Sequence, residues 1–101
     1  MSALFLIIAW DAAGAQGLRA ESRAAHFAYI ETIIDRIAIA GPMKTSDGGF
    51  AGSMLVYKAE SEADAWALLE GDPYFKAGVW DRHEIHPFVA AAGDWVGGVT
   101  W

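Results

Sequence analysis

One stretch of the chain decides its fold: Gly71-Asp72-Pro73-Tyr74-Phe75-Lys76-Ala77-Gly78. Gly71 is expected to end a helix in the left-handed conformation, and Pro73 fixes the turn that follows it. This turn leads into the last predicted strand and leaves the carboxylate of Asp72 at the rim of an apolar cavity. The best partner for that carboxylate is His26, which lies far upstream in the sequence.

His26 falls on the inward face of the first predicted helix, which runs from about residue 19 or 22 to residue 36. The apolar stripe of that helix recurs at helical spacing, at Ile30, Ile33, Ile34 and Ile37. Continuing the stripe backwards by four positions reaches His26. The sequence therefore directs an imidazole towards the cavity that Asp72 borders.

The predicted elements follow the order β-α-β-β-α-β, which is the ferredoxin-like split pattern of an α+β fold. Apolar runs predict three strands, at residues 3–10, 37–40 and 53–59. A fourth strand is expected at residues 79–89, where charges on both faces indicate an edge strand. Gly41-Pro42 is expected to end the second strand before a hairpin loop at 44–52. The second helix is expected between the N-cap Ser61 and Gly71. Right-handed crossovers then give an antiparallel sheet in the order 4-1-3-2.

The outer face of this sheet needs a cover, because two helices can cover only one face. The first and third strands are apolar on both sides, and 54% of the chain is hydrophobic, so a second copy is the simplest cover. We therefore expect a homodimer. Trp95 and Trp101 in the Gly-rich tail at residues 90–101 are expected to pack on the protein, preferentially on the partner subunit, because exposed indoles are costly.

Composition excludes several classes of partner. Seven basic residues against thirteen acidic residues give a net charge of −6, which disfavours binding to nucleic acid or to an anionic membrane surface. The chain has no cysteine, so it has neither disulfides nor thiolate sites. The apolar run at residues 3–10 is too short to span a membrane and lacks a basic leader, so the expected location is the cytoplasm.

His26 and Asp72 are the candidate catalytic residues. A carboxylate that accepts a hydrogen bond from one imidazole nitrogen fixes the tautomer and leaves the other nitrogen as a proton acceptor, which is the arrangement of a general base. The alternative is structural: Asp72 before Pro73 is also a good N-cap for a short helical turn, and His26 then is a core histidine.

Trp10, Ser53 and Tyr74 are the candidates for the cavity wall and for contact with a small-molecule ligand. In the last strand, alternation puts Trp80, Arg82, Glu84 and His86 on one face and His83 on the other. The two histidines therefore cannot share a metal ion, and no metal site is expected. The glycines form no phosphate or dinucleotide motif, so no cofactor is expected.

A series of motifs occurs in a fixed order within residues 3–89: Trp10-Asp11, Arg23-x-x-His26-x-x-Tyr29, Ala40-Gly41-Pro42, Gly48-Gly49, Gly52-Ser53, Asp72-Pro73-Tyr74-x-Lys76-Ala77-Gly78 and Glu84-Ile85-x-Pro87-Phe88. In these motifs the chain resembles the YciI-like (YCII-related) domain family, within the dimeric α/β-barrel, muconolactone-isomerase-like group. The resemblance implies one domain at residues 1–89, followed by a tail at 90–101 outside the shared pattern. It also implies that His26 and Asp72 form the active-site pair.

These observations favour an enzyme that performs a proton transfer or an elimination, as a lyase or an isomerase does, on a small cyclic or aromatic molecule. The aromatic substrate class and the lyase-like chemistry are what the resemblance implies. The alternatives are a non-catalytic module that binds a metabolite or serves as an accessory subunit, and a structural dimer domain whose His–Asp pair only adds stability.

Overall fold

A four-stranded antiparallel sheet is the frame of the molecule. The computed structural model describes residues 3–100. In chain order the elements are β1 (Ala3–Asp11), α1 (Gln16–Thr32), a 3-10 turn (Ile34–Arg36), β2 (Ile37–Lys44), β3 (Phe50–Ala59), α2 (Glu62–Glu70), α3 (Pro73–Lys76) and β4 (Trp80–Phe88). A small hairpin of β5 (Ala92–Gly93) and β6 (Gly98–Val99) follows. The sheet has the order β2-β3-β1-β4, which confirms the predicted α+β fold and strand order.

The core lies on one face of the sheet, because alternate residues of each strand point to opposite sides. Phe5, Ile7 and Ala9 of β1 are buried on the face that the helices cover. The residues that pack with them come from β3, α2 and α3: Leu55, Tyr57, Ala65, Leu69 and Tyr74. The intervening side chains of β1 point to the other face, and Leu4, Leu6, Ile8 and Trp10 are only half-buried in a single chain.

The first helix ends earlier than its apolar pattern predicts. The helix α1 stops at Thr32, and the chain turns through a 3-10 segment before β2 begins at Ile37. Ile34 is therefore 61% exposed, and its predicted place on the inward stripe is wrong. The helical period cannot be extended through a turn that changes the direction of the chain. The last residue of this turn, Arg36, attaches it to β3, because its Nε donates to the carbonyl of Lys58 at 2.9 Å.

Two strands also depart from the predicted pattern. The strand β2 continues through Gly41-Pro42 to Lys44, because it lies at the edge of the sheet, where proline is tolerated. In β4, Arg82 pairs with Trp10 but Trp80 pairs with Asp11, so the strand has one extra residue at this point. This bulge turns Trp80 into the core, where it is 3% exposed, and the prediction that it shares a face with Arg82 is wrong.

The left-handed stop lies at Gly78 and not at Gly71. Gly71 has φ −77°, which any residue can adopt, whereas Gly78 has φ +80°. The amides of Gly78 and Val79 donate to the carbonyls of Phe75 and Tyr74, which is the Schellman pattern at the end of α3. Gly71 is required for space instead, because a Cβ there would lie 2.6 Å from the hydroxyl oxygen of Tyr29.

None of the helices within residues 3–100 has the length and apolar character that crossing a bilayer requires.

We expect Gly71→Ala to destabilise the protein by about 1–3 kcal/mol, the usual cost of an overpacked site. The new methyl group would push Tyr29 away from the carbonyl of Leu68, to which its hydroxyl donates at 2.6 Å. The matched control is Gly17→Ala in the first turn of α1, where a Cβ meets nothing within 4 Å. Denaturant unfolding should find the control at least as stable as the wild type, and equal stability of both variants would contradict the crowding of Gly71.

Candidate active site

A cleft lies between α1 and the strands β2 and β3, above the helix-covered face of the sheet. Its volume is about 290 Å³, close to the lower limit for pockets that hold small molecules. The residues that line it are Arg19, Arg23, His26, Phe27, Ile30, Ala40, Gly41, Pro42, Phe50, Ser53, Leu55 and Tyr74. Most of this wall is apolar, and the polar groups come mainly from one helix.

His26 and Asp72 meet at the base of this cleft. Nδ1 of His26 lies 2.7 Å from Oδ1 of Asp72, although the two residues are 46 positions apart. A carboxylate can only accept a hydrogen bond, so Nδ1 carries the proton. The second nitrogen, Nε2, has no hydrogen-bond partner within residues 3–100, and it is not one of the buried unpartnered atoms. It is therefore open to the cleft that His26 lines.

Asp72 combines the two roles that the sequence left open. The same oxygen that contacts His26 also accepts a hydrogen bond from the amide of Tyr74 at 2.9 Å, which caps the N-terminus of α3. The residue is fully buried, and its Oδ2 has no partner among the described residues. The carboxylate also affects a core residue electrostatically. Burial raises the pKa of the Tyr57 hydroxyl, and the negative charge of Asp72 raises it further.

Aromatic side chains fix the plane of the imidazole. The ring of Tyr74 stacks on His26 with centroids 3.8 Å apart and an angle of 6° between the planes. Trp80 presents an edge to the same ring at 6.4 Å. Because Asp72 caps the helix that carries Tyr74, one carboxylate positions both the imidazole and the ring stacked against it.

Arg19 forms the second ionic contact of the site, and sequence analysis did not identify it. Its guanidinium makes two hydrogen bonds to Asp11, at 2.7 and 2.9 Å, and is almost fully buried. These bonds raise the pKa of Arg19, while burial acts in the opposite direction. The group also lies over the ring of Phe50 at 4.7 Å. The available signal was spacing: positions 19, 23 and 26 share one face of a helix.

Two of the three predicted wall residues reach the cleft. Ser53 and Tyr74 line it, and the hydroxyl of Ser53 lies 3.4 Å from Nη2 of Arg19. The structure separates Trp10 from the cleft, because alternation along β1 turns its ring to the other face of the sheet. There the indole donates to Glu84 at 3.1 Å and lies under the guanidinium of Arg82. The prediction that Trp10 borders this cavity is therefore corrected.

The two remaining histidines lie away from the cleft. His83 opposes Ala9 on the core face of the sheet, and His86 opposes Leu6 on the other face. His83 packs between Trp66 and Phe75, and burial lowers the pKa of its imidazole. Over residues 3–100, no three His, Asp or Glu side chains lie close enough together to hold a metal ion.

Comparisons with known proteins agree with this architecture. The family model of the YCII-related domain matches residues 3–89. The proteins named YciI from Escherichia coli and Shigella flexneri are each 36% identical over 93 residues, covering 84% of this chain and 95% of theirs.

A solved structure is also similar: 5-chloro-2-hydroxyhydroquinone dehydrochlorinase from Burkholderia phenoliruptrix AC1100 in complex with 2,5-dihydroxybenzoquinone. The two chains share 32% identity and a TM-score of 0.78. The match covers 90% of this chain and 96% of that chain. The likeness therefore extends over nearly the whole of both proteins.

We expect the neutral imidazole of His26 to carry its proton on Nδ1, because Asp72 offers only an acceptor there. Asp72→Ser retains a good helix cap but its side chain is too short to reach the ring, so this variant should give a mixture of tautomers. Asp72→Asn is the matched control, since its oxygen can accept from both Tyr74 and His26. The ¹⁵N shifts of the ring nitrogens in mildly alkaline buffer distinguish these states. A wild-type ring protonated on Nε2 would contradict the assignment.

Proposed function

The chain belongs to the YCII-related domain family, and from this premise we propose that it is an enzyme with His26 as its general base. The reaction is a proton transfer or an elimination on a small cyclic or aromatic molecule that bears hydroxyl groups. One observation carries the proposal: Asp72 holds Nδ1 of His26 at 2.7 Å, while Nε2 remains free at a largely apolar cleft.

In this reaction Nε2 takes a proton from the substrate. The electron pair left behind forms a new π bond, and in an elimination the leaving group departs with its own bonding pair. The buried carboxylate of Asp72 stabilises the imidazolium that forms, because an opposite charge in contact favours the protonated ring. The proton then passes from Nε2 to solvent, which restores the base.

The dimensions and chemistry of the cleft support this class of substrate. A volume of about 290 Å³ suits a single six-membered ring with small substituents. Phe27, Phe50 and Leu55 offer apolar contact to the ring faces, and Ser53 and Tyr74 offer hydroxyl groups. The similar dehydrochlorinase binds 2,5-dihydroxybenzoquinone, a compound of this size, and its name describes the loss of hydrogen chloride from a chlorinated hydroxyaromatic.

We expect His26→Gln to lower turnover by about 10²- to 10⁴-fold, the usual contribution of a general base. Asp72→Asn should have a smaller effect, because it keeps the tautomer but removes the charge that stabilises the imidazolium. Chloride release and deuterium uptake should be measured with 5-chloro-2-hydroxyhydroquinone and related ring compounds.

The control for this assay is His86→Gln, because His86 is exposed and lies far from the cleft. An active His26→Gln variant would refute the role of His26. A wild-type protein that neither releases halide nor exchanges protons with any compound of the panel would refute the proposed chemistry.

We also infer that two copies of the chain associate through the open face of the sheet. A groove of about 1010 Å³ lies there, between the sheet and residues 90–96 of the tail, and its apolar lining includes Leu6, Ile39, Met54 and Phe88. Trp95 borders this groove but is 83% exposed in the single chain, which favours the partner subunit as its main contact. Trp101 lies outside the described residues.

We expect light scattering to give about twice the chain mass of 10.9 kDa. Met54→Glu should convert the dimer to a monomer, because the carboxylate would be buried at the centre of the interface. Ala24→Glu on the exposed side of α1 adds the same charge away from that face and should leave the mass unchanged. A wild-type monomer at micromolar concentration, or a dimeric Met54→Glu variant, would exclude this interface.

A further inference from the structure

We propose that the ligand of the cleft is an anion, a small ring compound whose carboxylate or ionised hydroxyl group is bound by Arg23. This inference rests on the proposed function, since it concerns the ligand of the same cleft. It specifies that this ligand is negatively charged. It follows from a cation that has no hydrogen-bond or ion-pair partner within residues 3–100 and from the charges around it.

Arg23 has no polar partner among residues 3–100. Its side chain is exposed at the rim of the cleft, and it makes no hydrogen bond or ion pair with any residue of the described part of the chain. On a helix the partners of Arg23 would lie three or four positions away, but those positions hold Arg19, Ala20, His26 and Phe27. The helix therefore offers no carboxylate to this guanidinium and places a second guanidinium one turn away.

The other charged groups around the cleft face away from a ligand at its rim. Arg19 is paired with Asp11, and the carboxylate of Asp72 is fully buried against Nδ1 of His26. None of the twelve lining residues within residues 3–100 is Asp or Glu. Arg23 is thus the exposed charged group among the twelve described residues that line the cleft, in a chain whose net charge is −6. An exposed positive charge in a concave site attracts anions and raises their local concentration.

The inner end of the cleft offers further donors to an anionic oxygen. Arg19 uses Nε and Nη2 for Asp11 and also interacts with the hydroxyl of Tyr74, and its Nη1 is not one of the buried unpartnered atoms. The hydroxyl of Ser53 accepts from Nη2, so its own proton remains available to a ligand. An anion held by Arg23 would therefore meet hydrogen-bond donors along the same wall, and its ring would lie beside Nε2 of His26.

The test compares two ligands of equal size that differ in charge: 2,5-dihydroxybenzoate and its neutral amide, 2,5-dihydroxybenzamide. Isothermal titration should find the carboxylate bound at least tenfold more tightly by the wild type, with the preference weakened by salt. Arg23→Gln should lower the affinity for the carboxylate by about tenfold, the scale of a hydrogen bond to a charged group, and leave the amide unchanged. Arg82→Gln removes an equal charge from the opposite face and should change neither affinity.

The proposal is overturned if the wild type does not prefer the carboxylate, if it binds neither ligand, or if Arg23→Gln keeps the preference. This binding test does not depend on turnover. The ratio of the two affinities, carboxylate over amide, can also be measured in His26→Gln, which should still bind both ligands. A protein that releases no halide but prefers the carboxylate through Arg23 would refute the proposed chemistry and support the anion site. A protein that is active but does not prefer the carboxylate would support the proposed chemistry and refute the anion site.

Discussion

One carboxylate oxygen connects the first helix of this protein, α1, to the beginning of α3. Oδ1 of Asp72 accepts from the ring of His26 and from the amide of Tyr74, and no part of Asp72 reaches the surface. A charge in such a place is tolerated only where hydrogen bonds replace the water it has lost. The packing of α1 against α3, the cap of α3 and the orientation of the imidazole therefore all depend on the same atom.

A second ionic contact fixes the other end of the cleft. Arg19 bonds Asp11 at the end of β1, and it lies seven positions (26 − 19) before His26, which is about two helical turns. Two aspartates thus hold the same face of α1: the partly buried Asp11 at the sheet and the fully buried Asp72 at α3. Arg23 lies between these anchored positions, so the helix holds its guanidinium at the rim of the cleft although Arg23 makes no hydrogen bond or ion pair within residues 3–100.

The sequence predicted the parts of this structure that depend on periodicity and on strong local signals. The strand order, the cap at Ser61 and the approach of His26 to Asp72 all follow from such patterns. The errors lie where tertiary packing overrides a local rule. Gly71 is a glycine because Tyr29 occupies the space of a side chain, and no neighbouring residue indicates that.

The site residues divide in the same way. Trp80 enters the core because a bulge shifts β4 by one residue, and a bulge has no reliable sequence signal. Sequence analysis does not identify Arg19 as a site residue, because its partner Asp11 belongs to another element. The spacing of seven residues between Arg19 and His26 does indicate that both lie on the same face of a helix. Trp10 was assigned to the cavity from its place at the end of a strand, but the side of the sheet on which it lies is decided by register.

The chemistry of Asp72 argues that its charge serves more than the fold. Serine and asparagine cap helices about as well as aspartate does, and neither brings a charge into the core. The carboxylate is desolvated, leaves Oδ2 without a partner among the described residues and raises the pKa of Tyr57, so it is a costly choice for a cap alone. A negative charge gains most where a neighbouring group becomes positive, and the group in contact with it is the imidazole of His26. The cost of burying Asp72 is thus offset best in the state where His26 has accepted a proton.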